Sequence, residues 1–257
     1  MEIFDYKKVD ANDFFSSKPF PNIELSNFWN DELLEKCFFE IKDYQHWDGE
    51  KNFFAAKKRL YSSNRKLFPE NVKKVFDVLC SSKFVNWLSS FTNEKELVAD
   101  HNLTASGISS VGRGGFLKIH CDPNWNPKMK LYLRIIIIIY LNKEWKDNWG
   151  GHLELWNKEM DNCVKKVKPN FNNMFVFSNN GKNYHGHPDP LNIPENERRN
   201  NLIMYYYSPY NNSVKENSRT TIGELSDYKQ RKIGEFGFGY YLNKLIKKIV
   251  KLFNFSI

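Results

Sequence analysis

The sequence has little cysteine, no long apolar run and no basic, apolar leader. Its four cysteines stand far apart without a CxxC pair, at Cys37, Cys80, Cys121 and Cys163. This excludes the dense disulfide framework of a small secreted domain and favours reduced thiols. The longest apolar run, Ile135–Leu141, is too short to span a bilayer, and no signal peptide is expected. These absences predict a cytoplasmic protein without a membrane span.

A basic stripe interleaved with aromatic residues is also missing, although the net charge is +8. Much of the positive charge comes from scattered lysines and from the C-terminal stretch. Nucleic acid is therefore not the expected partner. A basic nucleic-acid-associated protein nevertheless stays open as an alternative, which steeply salt-dependent binding to DNA or RNA would support.

Hydrophobic residues make up 41% of the sequence and aromatic residues 16%, which indicates a folded chain. Residues 1–102 predict a helical support region of the same domain, with one helix opening at Asp31 and another over Pro69–Phe91. Residues 103–210 predict the β core. Residues 211–257 predict a C-terminal extension with an amphipathic helix over Tyr241–Phe253, which either lies on a membrane surface or, the favoured alternative, packs on its own domain.

The β core is predicted from short alternating or fully apolar runs bounded by Gly, Asn and Pro. The run Ile135–Ile139 predicts a strand buried on both faces. The number and spacing of the strands indicate a mainly β, α+β protein with a jelly-roll or related double-sheet barrel. The predicted strands are Thr104–Val111, Gly115–His120, Leu131–Leu141, His152–Trp156, Met174–Ser178, Asn183–His187 and Asn201–Tyr207.

The segment Gly114–Asp122 predicts a strand that runs into a His-x-Asp triplet, His120-Cys121-Asp122. Residues two apart in an extended chain point to the same side, so the imidazole and the carboxylate can face one metal. A second segment, Tyr184-His185-Gly186-His187-Pro188, opens a late strand and supplies a further histidine. Two histidines and one carboxylate form the facial triad that selects Fe(II) in oxygenases. Because His185 and His187 are also two apart, spacing does not choose between them.

The third element is an arginine pair, Arg198-Arg199, at the start of the following strand. A guanidinium on a neighbouring strand can bind a carboxylate through two parallel, charge-assisted hydrogen bonds. The pair therefore predicts a binding site for a dicarboxylate co-substrate. The pattern alone leaves both arginines open.

Taken together, these motifs resemble the 2-oxoglutarate/Fe(II) oxygenases of the prolyl 4-hydroxylase-like superfamily over roughly residues 18–210. The resemblance also includes Tyr140-Leu141-Asn142, Trp149–Leu155 and Tyr205-Tyr206-Tyr207. It implies a double-stranded β-helix, with His120, Asp122 and His185 as catalytic iron ligands. It further implies that Arg199 binds the distal carboxylate of 2-oxoglutarate, with Arg134 and Lys118 as further cofactor-binding residues.

By the same resemblance, Fe(II), 2-oxoglutarate and O₂ are expected to support hydroxylation with release of succinate and CO₂, with ascorbate as an additional cofactor. The implied substrate is a peptidyl proline. However, collagen-type prolyl 4-hydroxylases carry lysine and tyrosine where this chain has Arg199 and Leu117. A small molecule, a sugar or a free amino acid therefore stays open as the substrate, and so does a non-catalytic barrel that binds a metal or an acidic ligand.

Overall fold

The computed structural model describes residues 9–209 and the backbone of residues 221–222. Its helices flank the sheet, and none in this part of the chain is long and apolar enough to cross a membrane. The predicted helix over Pro69–Phe91 is wrong as a single element. It is interrupted because Ser81 caps a new helix, with its Oγ accepting a hydrogen bond from the Phe84 amide at 3.2 Å. The helices are α1 (Ala11–Ser16), α2 (Asp31–Lys42), α3 (Glu70–Leu79) and α4 (Ser82–Thr92).

The strands form one strongly curled antiparallel sheet. The N-terminal region supplies an edge strand and a hairpin, which the sequence did not predict. The strands are β1 (Asn22–Ser26), β2 (Gly49–Phe53), β3 (Ala56–Ser62), β4 (Val98–Ala99), β5 (Gly107–Cys121), β6 (Trp125–Asn126), β7 (Leu131–Tyr140), β8 (Leu153–Trp156), β9 (Cys163–Val167), β10 (Asn173–Ser178), β11 (His185–His187), β12 (Arg199–Ser208) and β13 (Thr221–Ile222).

Strand β5 belongs to both halves of the curled sheet, whose order is β1-β10-β7-β12-β5-β11-β8-β9. Its first part pairs with β12, and its last part pairs with β11. The strand passes Gly115, where an added Cβ would lie 2.4 Å from Val111 Cγ1 and 2.8 Å from the Lys57 carbonyl oxygen. Glycine lets the chain pass this crowded point, and the two predicted strands 104–111 and 115–120 form one continuous strand.

The five consecutive isoleucines of β7 divide the core into two layers. Ile135, Ile137 and Ile139 pack towards the helices, together with residues of β10 and β12. Ile136 and Ile138 pack on the opposite face, against residues of β8, β9 and β10. All five are buried, so the prediction of a strand buried on both faces is confirmed.

The predicted fold class, a mainly β double-stranded β-helix with flanking N-terminal helices, is confirmed. Strand β9, Cys163–Val167, was not predicted, because its lysines at 165 and 166 mask the alternation of a strand at the sheet edge. The proposed boundaries at residues 102 and 210 stay predictions. The predicted helix over Tyr241–Phe253 lies outside the described residues.

Candidate metal and co-substrate site

Two neighbouring strands place the predicted metal ligands at one point of the barrel. His120 lies near the end of β5, and His185 begins β11 directly opposite it in the antiparallel pairing. The strands approach so closely that a Cβ on Gly186 would lie 2.7 Å from the Lys118 carbonyl oxygen. The glycine after His185 is therefore needed to bring the two histidine-bearing strands together.

The side chains of His120, Asp122 and His185 converge, and one potential ligand atom from each lies within 4.8 Å of the others. The Nε2 atoms of His120 and His185 lie 3.5 Å from Asp122 Oδ1 and 3.7 Å from Asp122 Oδ2, respectively. All three side chains are buried. The geometry is that of a three-ligand group with the remaining side open to a cavity.

Both histidines are held through their other ring nitrogen. His120 Nδ1 lies 2.8 Å from the Lys118 carbonyl oxygen, and His185 Nδ1 lies 2.9 Å from the Asn183 carbonyl oxygen. A carbonyl can only accept, so Nδ1 carries the proton in each ring. The Nε2 atoms then point at the centre of the group, which is the arrangement of metal-ligating histidines.

The local electrostatics favour the metal-binding protonation states. Burial, together with the neighbouring His120, lowers the pKa of His185 to about 4. Burial would raise the pKa of the Asp122 carboxyl, but the hydrogen bond and charge of His120 outweigh it and the pKa is lowered. At neutral pH the group therefore offers a neutral His185 and an ionised Asp122.

His187 and Arg198 were the alternatives that sequence spacing left open. A register shift separates His187 from His185 in the pairing with β5, and His187 is absent from the three-ligand group, although it lines the same cavity. Arg198 points away and donates hydrogen bonds from Nε to Ser110 Oγ at 2.7 Å and from Nη2 to the Ser110 carbonyl oxygen at 3.0 Å. Arg199, its neighbour on the strand, lines the cavity.

Arg199 and Tyr140 form a polar end of this region. The Arg199 guanidinium donates through Nε to the Gly151 carbonyl oxygen at 2.7 Å and stands 5.1 Å from the centre of the Tyr140 ring. Within the described residues no carboxylate lies at ion-pair distance from it. Burial raises the pKa of Tyr140 to about 12 despite the nearby guanidinium. The buried Tyr140 hydroxyl has no hydrogen-bond partner of normal geometry in this part of the chain.

The cavity has a volume of about 340 Å³ and joins the three-ligand group to Arg199. Two other residues predicted to bind the co-substrate do not line it. Arg134 forms a two-point ion pair with Glu94 at 2.9 and 2.8 Å, and the Lys118 ammonium stands 5.3 Å from the centre of the Phe54 ring. The structure instead brings in residues that the motifs missed, namely Lys51, Phe53, Phe54, Arg59 and Ser109.

Comparisons with solved structures agree with this architecture. A Pseudomonas putida prolyl-4-hydroxylase has a TM-score of 0.53 at 12% identity, and the match covers 72% of this chain and 91% of that chain. A Trichoplax adhaerens prolyl hydroxylase in complex with a hypoxia inducible factor oxygen degradation domain peptide fragment has a TM-score of 0.54 at 16% identity, and the match covers 77% of this chain and 86% of that chain. At these identities the similarity shows a shared fold.

A third match is an oxidoreductase of the 2OG-Fe(II) oxygenase family from Burkholderia pseudomallei, with a TM-score of 0.51 at 12% identity, covering 82% of this chain and 96% of that chain. No curated protein sequence matches this chain. A family model, described as the 2OG-Fe(II) oxygenase superfamily, matches residues 106–208, which include every ligand of the three-residue group and Arg199. The segment that holds the candidate site is therefore similar to the 2OG-Fe(II) oxygenase superfamily, and the solved structures show that the fold is shared.

Proposed function

We propose that this protein is a hydroxylase in which His120, Asp122 and His185 bind Fe(II) and Arg199 binds the distal carboxylate of 2-oxoglutarate. One observation carries the proposal: a buried group of two histidines and one aspartate shares a cavity with a buried arginine that no carboxylate of the described residues pairs with. The first feature suits a divalent metal, and the second suits an anionic co-substrate.

A divalent metal fits because three potential ligands converge from one side of the cavity. Two imidazole nitrogens and one carboxylate on one side of a metal would leave coordination positions for small molecules. Fe(II) in such a site, together with 2-oxoglutarate and O₂, supplies the oxidising power to hydroxylate a C–H bond, and succinate and CO₂ leave as co-products. Tyr205 donates a hydrogen bond to Asp122 Oδ2 at 3.0 Å and fixes the carboxylate orientation.

The co-substrate fits because it would satisfy polar groups that otherwise lack partners. A buried, unpaired hydroxyl costs free energy, and the Tyr140 hydroxyl stands beside the Arg199 guanidinium. A carboxylate placed between them would accept hydrogen bonds from both side chains. Ile136, Ile138 and Phe177 contribute apolar walls to the cavity, and such surroundings would strengthen those bonds.

For the primary substrate we propose a peptidyl proline. The support is a fold shared with two prolyl hydroxylases, together with a cavity that stays partly open beyond the metal group. A small molecule, a sugar or a free amino acid is the alternative class. We also propose a reducing, cytoplasmic location, supported by four free cysteines, and sustained turnover in the presence of ascorbate.

The decisive experiment adds Fe(II) and then 2-oxoglutarate to the purified protein without oxygen. The expected result is a visible charge-transfer band from the keto-acid chelate. The band should vanish in His120→Ala and should need more 2-oxoglutarate in Arg199→Ala. The matched controls are His101→Ala, an exposed histidine outside the cavity, and Arg198→Ala, the neighbouring arginine bound to Ser110.

Two other results would redirect the assignment. Iron binding without a band in the wild type favours the non-catalytic metal-binding barrel. A larger 2-oxoglutarate requirement in Arg198→Ala than in Arg199→Ala moves the carboxylate site to the other arginine. When oxygen is admitted, succinate formation that increases with a prolyl peptide supports the substrate assignment, and its absence with all prolyl peptides removes it.

A further inference from the structure

The hairpin of β2 and β3 forms a wall of the cavity, and its side chains have no role in the proposed metal site or in the proposed 2-oxoglutarate site at Arg199. It contributes two cations, Lys51 and Arg59, and two aromatic rings near its tip, Phe53 and Phe54. None of these residues belongs to the matched oxygenase segment 106–208. The cavity is therefore completed by side chains from outside the family core.

Lys51 and Arg59 are direct cross-strand partners in this hairpin. Like charges placed opposite each other on neighbouring strands repel, so the pairing destabilises the hairpin by itself. Burial lowers the pKa of Lys51, and Arg59 lowers it further. Among the described residues neither cation has a carboxylate at ion-pair distance. An anion between them would remove the repulsion.

Arg59 is oriented for such an anion. Its Nε donates a hydrogen bond to Ser109 Oγ at 2.9 Å, and Ser109 also lines the cavity. No hydrogen bond from its two terminal nitrogens is found in the part of the chain that the structure describes. These two nitrogens form the fork that recognises a carboxylate or phosphate. The guanidinium is thus fixed at one nitrogen and available at the others.

The hairpin tip adds an apolar surface to this cationic wall. Phe53 and Phe54 are 48% and 39% exposed, although both line the cavity. Their rings contact each other at 5.8 Å between centroids in an edge-to-face arrangement. Exposed aromatic rings at the rim of a cavity are typical of a ligand-binding surface.

We propose that the primary substrate carries an oxyanion, a carboxylate or a phosphate, which Arg59 and Lys51 bind while Phe53 and Phe54 contact its apolar part. This inference rests on the proposed hydroxylase function. Arg199 and Arg59 then have separate roles in one cavity. Arg199 binds the co-substrate, and Arg59 selects the substrate by its negative charge.

The test uses full-length protein with Fe(II) and 2-oxoglutarate, and a panel of matched prolyl peptides with Glu, phosphoserine, Gln or Lys beside the proline, together with free L-glutamate and L-proline. Binding without oxygen is followed by the change in the charge-transfer band, so an unreactive compound still gives a signal. Glu and phosphoserine peptides distinguish the two oxyanions, and L-glutamate distinguishes a free acid from a peptide. We expect acidic members to bind at least tenfold more tightly than their Gln counterparts.

Substitutions in the hairpin test whether its cations cause the preference for acidic compounds. Arg59→Gln should weaken binding of the best acidic compound by roughly tenfold to hundredfold, and Arg59→Glu should shift the preference to the Lys peptide. Lys57→Gln removes an exposed positive charge from the same strand outside the cavity lining and should change binding less than threefold. The 2-oxoglutarate requirement should stay unchanged in all three variants.

The outcomes separate this inference from the proposed function. If the wild type gives no band, the proposed function fails, and calorimetric titration of the acidic peptides and L-glutamate still tests Arg59. Preference for Gln or Lys peptides, or no binding by any acidic member, overturns the inference. It is equally overturned if Arg59→Gln raises the 2-oxoglutarate requirement, because Arg59 would then bind the co-substrate.

Discussion

Two parts of the cavity differ in how their polar side chains are bonded: the metal end, formed by His120, Asp122 and His185, and the hairpin wall, which contains Lys51 and Arg59. At the metal end, His120, Asp122 and His185 each have a protein hydrogen-bond partner that fixes their orientation. At the hairpin wall, Lys51 and Arg59 repel each other and lack a described carboxylate partner. A pre-organised group suits a metal that demands fixed geometry. Unpaired cations suit a ligand that arrives and leaves.

The largest expected effect separates the two histidines of the metal end. His185→Ala should reduce metal affinity at least a hundredfold because it removes one of three converging ligands. His187→Ala should change metal affinity less than threefold. Competition with a chromogenic chelator measures both affinities. If His187→Ala loses more metal affinity than His185→Ala, His187 is the ligand, and the distinction between the three converging ligands and the residues that only line the cavity is wrong.

Acidification should destabilise the metal-free protein through His185. Its folded pKa is about 4, below the ordinary value of 6.5, so the unfolded chain binds the proton first as pH falls. Stability is therefore retained above pH 6.5 and lost between 6.5 and 4, by up to about 3 kcal/mol. Urea unfolding of the metal-free protein across this window measures the effect. His185→Gln should show a shallower pH dependence, and equal slopes would contradict the assignment.

A smaller effect is expected for the residue that positions Asp122. Tyr205→Phe removes the hydroxyl that donates to Asp122 Oδ2 and should weaken metal binding by about tenfold to a hundredfold. Tyr206→Phe is the matched control, because the Tyr206 hydroxyl donates to the Leu79 carbonyl oxygen on the helix side. Chelator competition should show no loss of metal affinity in the control. Equal losses in both variants would indicate a general loss of packing.

The smallest expected effect concerns the Tyr140 hydroxyl beside Arg199. Tyr140→Phe should raise the 2-oxoglutarate concentration needed for half of the charge-transfer band by about tenfold, since one donor to the carboxylate is lost. The metal-free protein should keep or slightly gain stability, because the removed hydroxyl has no described partner. Titration of the charge-transfer band with 2-oxoglutarate measures the first effect, and urea unfolding of the metal-free protein measures the second. A clear loss of stability would give the hydroxyl a structural role.

Most of the core was predictable from local patterns. The five-isoleucine run predicted a strand buried on both faces, since apolar side chains alternate to either side of a strand. In the structure each side of β7 packs against an apolar layer. The His-x-Asp spacing predicted two ligands on one side of a strand. The strands of the N-terminal region were not predictable in the same way. The hairpin residues 49–62 are rich in lysine and half exposed, so no hydrophobic alternation marks them.

The sequence alone determined the chemistry that this protein can hold, because residue type sets which atoms can ligate a metal or bind a carboxylate. It did not determine which of two histidines two residues apart joins the group of His120 and Asp122, or which of two adjacent arginines faces the cavity. Tertiary structure decided both, through the register of β11 against β5 and the alternation of β12. It also brought Arg59 to the same cavity across a strand pairing with β5. Such long-range pairing depends on the packing of the whole sheet, which no local pattern encodes.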